Sequence, residues 1–331
     1  MKYRELDRAN NRVVRLGLGL AALGRPGYIN LGHAEDLQSD YDVDTMQRHA
    51  FTVLDAAWEA GIRYFDAARS YGKAEVFLGS WLAERNIEPD AVTVGSKWGY
   101  EYTANWQIEA EVHEQKQHSY DRLTTQWQES QENLGSYLDL YQIHSATLES
   151  GVLNQPDVLK ELARLKQQGT AIGLSVSGPS QRDVIEQAMQ IQVDGVDLFD
   201  VVQATWNVLE RSAETALIAA HDKGMGIIIK ESLANGRLTN RNQSKEFQQS
   251  LACLQQEADR LNTTVDALSL AAVLDHPWAD IVLSGAAGVD QLQSNLDSLN
   301  VNFDDQARSR LQELSEPATQ YWQTRSQLQW N

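Results

Sequence analysis

The chain is short of three things: cysteine, positive charge and long apolar runs. A single cysteine in 331 residues, Cys253, excludes an internal disulfide framework and fits a reducing compartment. Lys and Arg number 28 against 46 Asp and Glu, a formal charge of −18. A nucleic-acid partner needs basic patches, so this balance speaks against one, and the surplus carboxylates serve solubility. No apolar stretch approaches the roughly 18 residues of a membrane span. The polar, charged start, Met1–Arg15, holds no signal-peptide core. The expected location is cytoplasmic, with no membrane and no nucleic-acid partner. The histidines and Cys253 show no ligand spacing, so no metal is expected.

What is present is alternation. Val92–Lys97, Leu138–His144, Ala171–Ser177, Asp200–Trp206, Gly226–Glu231 and Asp280–Gly285 read as short buried strands. Helix-period segments lie between them: Ala74–Glu84, Ser119–Leu134, Asp157–Gln168, Gln181–Gln190, Ala213–Lys223 and Val265–Asp275. Leu16–Leu23 supplies a first strand, Thr45–Ala60 a first helix and Ile62–Phe65 a second strand. Strand–helix alternation implies parallel pairing, and eight such units fit an α/β fold, a closed (β/α)8 TIM barrel. The barrel is expected to span 1–331 as one domain. Lys2–Leu6 and Asn11–Leu16 around Arg8-Ala9-Asn10 predict an N-terminal β-hairpin. Asp304–Leu314 predicts an extra C-terminal helix, followed by a polar tail with Trp322 and Trp330 that is a candidate to close the barrel mouth.

The strand ends carry the chemistry. Reading each apolar run to its finish gives Asp66, Lys97, His144, Ser175 and Ser177, Gln203, Lys230 and Ser284. In a parallel barrel these ends share one face, where such barrels place their active sites. Tyr71 follows Asp66 on the next loop. If Lys97 approaches it as an ammonium at about 4 Å, the charge is worth roughly 4 kcal/mol at an effective dielectric near 20. That pulls a phenol from about 10 toward the physiological range, where it is a useful acid. Asp66 then pairs with Lys97, and His144 orients a carbonyl oxygen or assists proton transfer. No nucleophile with a matched base is present, so hydrolysis fits poorly. A proton donor aimed at a carbonyl calls for a hydride source, hence a nicotinamide coenzyme.

Over nearly its whole length the chain resembles the aldo-keto reductase superfamily. The resemblance rests on Gly61–Gly72, Val94-Gly95-Ser96-Lys97, Asp139–His144, Ile172-Gly173-Leu174-Ser175 and Gly285–Asn295. The family's Asp, Tyr, Lys and His fall on Asp66, Tyr71, Lys97 and His144. The resemblance implies NADP(H)-dependent reduction of an aldehyde or ketone with Tyr71 as general acid. It also implies that Ser175 and Gln203 hold the carboxamide and that Asn295 fixes the adenosine end. Four positions depart from the family pattern. Val176 stands where many members have Asn. Lys230 occupies the place of the aromatic that stacks under the nicotinamide, so either its own stem covers the ring or a nearby aromatic such as Trp206 replaces it. Gly285 and Gln291 stand where many members place Lys and Arg, leaving Arg237, Arg241 or Gln291 to meet a 2′-phosphate. NADP(H) is therefore the expected coenzyme and NAD(H) the alternative.

The long segment after Lys97 carries Trp98, Tyr100, Tyr102 and Trp106, read either as a substrate wall or as packing over the barrel mouth. Gly17-Leu18-Gly19 with Gly24 lacks dinucleotide-fingerprint spacing and reads as close packing at the first strand. His113-Glu114 followed by His118 fails as a helical zinc pair, since five helical steps turn the two histidines apart, and reads as a solvated face. The expected substrate is a small carbonyl compound or sugar. Two rival functions remain: an NAD(P)+-dependent sugar or alcohol dehydrogenase on the same site, and a nicotinamide-binding regulatory subunit. Oligomeric state is not legible.

Overall fold

The computed structural model describes residues 14–37 and 40–330. The expected hairpin around Arg8-Ala9-Asn10 lies outside them. Eight parallel strands close a barrel in chain order: β1 (Leu16–Gly19), β2 (Tyr64–Asp66), β3 (Thr93–Trp98), β4 (Leu138–Ala146), β5 (Ala171–Val176), β6 (Val201–Thr205), β7 (Gly226–Lys230) and β8 (Ile281–Ser284). Closure is between β8 and β1, with Leu16 opposite Val282 and Leu18 opposite Ser284.

Register is pinned at the strand starts. Asp139, Asp200 and Asp280 each precede or open a strand and accept a backbone N–H from the neighbouring one: Val94, Ile172 and Ile227, at 3.0, 2.9 and 2.8 Å. A carboxylate there satisfies an edge donor that the slanted parallel ladder leaves over. Above it, Tyr64, Leu140, Val201, Ile228 and Ile281 form an apolar cluster apart from the main core, a plug beneath the polar strand ends.

Helices follow the predicted segments within a residue or two, and their caps explain where they begin. Asp42 accepts from Asp44 and Thr45 N–H ahead of Val43–Glu59, Ser119 from Arg122 ahead of Tyr120–Leu134, and Thr264 from Ala267 ahead of Val265–Leu274. Four helices among the described residues go beyond expectation, the short His33–Asp36 and Val289–Asp297 among them. Gln248–Arg260 buries Leu254 and Ala258 on one face of a mostly polar segment. Ala318–Ser326 forms within the supposed polar tail, after the expected helix Asp305–Gln312, and buries Tyr321 and Trp322. β1 is shorter than its apolar run, because the chain turns at Leu20, whose carbonyl accepts from Leu23 and Gly24. The glycines there are packing devices: a Cβ on Gly17 would meet Tyr64 at 2.8 Å, and one on Gly24 would meet the Tyr71 carbonyl at 2.3 Å.

The segment after β3 is a small antiparallel hairpin, Tyr100–Tyr102 with Glu114–Lys116, folded over the barrel mouth. His113 and His118 therefore flank a strand and not a helix. His118 is buried, packs edge-on against Trp98 and donates to the His144 carbonyl at 2.8 Å, so the solvated-face reading fails for it. Among the described residues no helix is long and apolar enough to cross a membrane.

Candidate active site

A cavity of about 590 Å³ opens at the strand-end face, a volume suited to a small ligand or coenzyme. Asp66, Tyr71, His144, Ser177, Gln203, Lys230 and Ser284 line it, so most predicted strand ends converge on one space. Lys97 lies just beneath, fully buried: its ammonium holds the Asp66 carboxylate and donates to the Ala67 carbonyl at 2.9 Å. Tyr64 and Gln203 both donate to the other carboxylate oxygen of Asp66, at 3.1 and 2.9 Å. Both oxygens of Asp66 are thus engaged.

Tyr71 is half-buried, with Lys97 Nζ 4.9 Å from its ring centroid and its hydroxyl 3.5 Å from His144 Nε2. Ser70 Oγ stands 3.4 Å from Nδ1 of the same imidazole, and Tyr100 packs 4.9 Å from it. The expected acidification of the phenol is not found. Desolvation, then the charge of Asp66, hold Tyr71 well above the usual phenol range. Lys97 is committed to Asp66 and does not offset these two effects at the phenol. Burial, followed by the charges of Lys97 and Lys230, pushes His144 well below the usual imidazole range and keeps it neutral. Lys97 is itself lowered by burial, against the pull of Asp66.

Lys230 projects from the end of β7 and donates to Thr205 at 2.8 Å and Ser177 at 3.2 Å. Burial lowers it to about 8, although Glu231 opposes this. Burial pushes the Glu231 carboxyl up, but Arg325 and Lys230 outweigh it and hold the group at about 2. Glu231 carries a left-handed backbone (φ 55°), as do Ala234, Asn235 and, at the end of β4, Ser145. Such conformations in residues other than glycine cluster at functional sites. Arg325, from the tail helix, grips Glu231 with both Nε and Nη2.

The remaining predicted contacts divide. Tyr100, Gly285, Gln291 and Asn295 line the cavity; Asn295 donates to Ser284 at 2.8 Å, and Gln291 accepts from Ala287 N–H. Ser175 is buried behind the wall, where its hydroxyl accepts from Ser145 N–H. Trp98 is fully buried, and Trp106 donates to the Tyr41 carbonyl at 2.6 Å; neither lines the cavity, because the hairpin turns both rings into packing. Trp206 packs against His276 and Trp278, away from the cavity, so it does not replace the missing aromatic. Arg237 is bound to Glu316 and flanked by Phe247 and Tyr321, off the cavity. Arg241 does line it, paired with Asp36 at 2.5 Å.

Sequence reasoning missed Arg25, Tyr28, Glu114, Glu231 and Arg325, all on the cavity wall, where Trp330 of the tail also stands. Arg25 follows the close-packing Gly24, and that glycine was the one available signal for it. Two buried wall atoms, Ser232 Oγ and Asn235 Oδ1, have no hydrogen-bond partner among the described residues. An orphaned hydroxyl and carbonyl on a cavity wall suit a polar ligand that supplies both a donor and an acceptor.

The aldo/keto reductase family model matches residues 15–316. The chain is 23% identical over 318 residues to the uncharacterized oxidoreductase YqkF of Bacillus subtilis, covering 91% of this chain and 92% of that one. It is 24% identical over 342 residues to the NADH-specific methylglyoxal reductase of Escherichia coli, covering 96% and 99%. The fold is similar to that of the aldo-keto reductase AKR11C1 from Bacillus halodurans, with a TM-score of 0.71 at 21% identity, covering 94% and 95% of the two chains.

Proposed function

The chain belongs to the aldo/keto reductase family, and we propose that it reduces an aldehyde or ketone with a nicotinamide coenzyme, Tyr71 giving the proton. The observation that carries this reading is the phenol on the cavity wall, 3.5 Å from a neutral His144 and held protonated by its surroundings. A protonated phenol is competent as a donor to a carbonyl oxygen, whereas oxidation needs the phenolate as base. The same geometry run backwards is the alcohol or sugar dehydrogenase reading, and the high phenol pKa weighs against it.

The coenzyme, when bound, supplies hydride to the carbonyl carbon. Gln203, Asn295 and the orphaned Ser232 and Asn235 are the residues that would hold it. His144 Nε2 and the Tyr71 hydroxyl together define where a carbonyl oxygen accepts hydrogen bonds. Lys97 and Asp66 form a fixed, nearly neutral pair behind the phenol, ready to respond to the negative charge that appears when its proton leaves. NADP(H) is the first coenzyme to test, with Arg241 as the wall cation for a 2′-phosphate. Its pairing with Asp36 is the observation favouring NAD(H) as the second.

The test is a carbonyl panel with NADPH and NADH, set against an alcohol and sugar panel with NADP+ and NAD+. Carbonyl turnover that disappears in Tyr71→Phe supports the proposal. Turnover only in the oxidative direction overturns it in favour of the dehydrogenase. Saturable coenzyme quenching of tryptophan fluorescence with no turnover in either direction leaves the regulatory binding protein.

A further inference from the structure

Arg25 lies in the loop after β1, far in sequence from every strand end discussed above. Two glycines let its loop approach Tyr71. A Cβ on Gly72 would meet the Gly24 carbonyl at 2.4 Å, one on Gly24 would meet the Tyr71 carbonyl at 2.3 Å, and Lys73 N–H donates to the Gly24 carbonyl at 2.7 Å. The Arg25 guanidinium, 2% exposed, sits 5.2 Å from the Tyr71 ring centroid, 5.4 Å from Tyr28 and 4.8 Å from Trp330. Trp330 in turn stacks on His113 at 4.0 Å. A buried cation is thus enclosed by three aromatic rings, one of them the proposed proton donor.

Its hydrogen bonds show what this arrangement is not. Arg25 meets both the Ser70 carbonyl and Glu114 through the single nitrogen Nη1, and its Nε is buried without a partner among the described residues. A structural arginine uses its planar fork, as Arg325 does on Glu231. Among the described residues Arg25 makes no such fork; its charge meets Glu114 and faces the rings. Positive charge over an aromatic face is attracted to the ring, and more strongly to a phenolate than to a phenol.

We infer that Arg25 is a positioning residue for Tyr71: it fixes the ring against His144 and stabilises the phenolate left after proton donation, with Glu114 and Trp330 holding it there. This rests on the reading of Tyr71 as proton donor. Other charged or titratable groups bearing on the phenol are Asp66 and Tyr64 from β2, Lys97 from β3, His144 from β4, Tyr28 from the Arg25 loop and Glu114 from the hairpin. Arg25 and its partner Glu114 act in opposite senses, the cation drawing the Tyr71 pKa down and the carboxylate pushing it up.

That opposition supplies the test. The pH profile of kcat/KM for carbonyl reduction is measured for wild type, Arg25→Met, Arg25→Lys and Glu114→Gln, with coenzyme quenching as the check on folding. Arg25→Met is expected to lower kcat/KM about threefold to thirtyfold and move the alkaline limb to higher pH. Glu114→Gln is expected to move that limb to lower pH, and Arg25→Lys to fall between wild type and Arg25→Met. A purely structural arginine would lower the rate without moving the limb. An unmoved limb in both Arg25→Met and Glu114→Gln overturns the inference while leaving Tyr71 as donor intact. If Arg25→Met fails to bind coenzyme, Glu114→Gln and Arg25→Lys decide alone. Normal turnover in Tyr71→Phe overturns the inference together with the functional reading beneath it.

Discussion

Gln203 donates its side-chain amide to Asp66 Oδ1 at 2.9 Å, reaching across the barrel mouth from β6 to β2. With Tyr64 on the same oxygen and Lys97 on the other, both oxygens of this buried carboxylate are engaged.

Removing one partner of a buried ion pair strands the other's charge. Asp66→Asn is expected to cost about 3–5 kcal/mol of stability, read by chemical denaturation, whereas Gln203→Met removes a neutral donor and costs about 1–3 kcal/mol. Equal losses in the two variants would show that Lys97 is not held as a cation.

Turnover should be insensitive to pH around neutrality. His144 is kept neutral and Tyr71 protonated, so kcat/KM for reduction is expected to show no inflection between about pH 6 and 7.5, near the ordinary imidazole value. An inflection there that vanishes in His144→Gln would mean that the imidazole titrates in the working enzyme.

Lys230 gives the stability a basic-side signature. Its folded value of about 8 lies below the ordinary 10.5, so between those two values the unfolded chain binds more protons and stability rises with pH. The stability of wild type relative to Lys230→Met is expected to climb over that window by at most about 3 kcal/mol. A flat difference in denaturation free energy from pH 8 to 10.5 would contradict it.

Two buried histidines act at the acid end. Burial lowers His33 and His118 from 6.5 to about 4, so stability present at neutral pH is lost as pH falls through that interval. His118→Phe is expected to unfold less steeply between pH 6.5 and 4 than wild type, by at most about 3 kcal/mol across the window. Parallel acid transitions would remove His118 from the account.

Gly24→Ala tests the approach of the first loop to the catalytic one. The new Cβ would press on the Tyr71 carbonyl, which is backbone and cannot rotate away. A cost of about 1–3 kcal/mol is expected, with kcat falling more than coenzyme affinity. Unchanged kcat would show that the Tyr71 loop yields freely.

The strands, the pairing class and the positions of Asp66, Lys97 and His144 could be read from the sequence, because each of these residues sits where an apolar run stops, and Tyr71 from its place on the loop after Asp66. That signal is local. The electrostatics were not legible, since the effect of Lys97 on Tyr71 depends on how far Asp66 has already neutralised it, a three-body matter of distances. Trp98 and Trp106 misled for a related reason: the hairpin Tyr100–Tyr102 with Glu114–Lys116 is set by pairing across eleven intervening residues, and its fold decides which way each ring faces. Arg25 and Arg325 belong to no run and no period, and Glu231, at the finish of the Gly226–Glu231 run, carries no local sign of its partner Arg325. Only the closed fold brings them to the wall.

The β1–β8 seam carries a consequence for biosynthesis. Leu16 pairs beside Val282, so β1 leaves the ribosome with one edge that has no strand to meet until β8 has been made. An open edge of this kind is a template for pairing with another chain. Translation stalled before Ile281 would leave that edge bare in a nearly complete protein, a product prone to association and a natural client for chaperones.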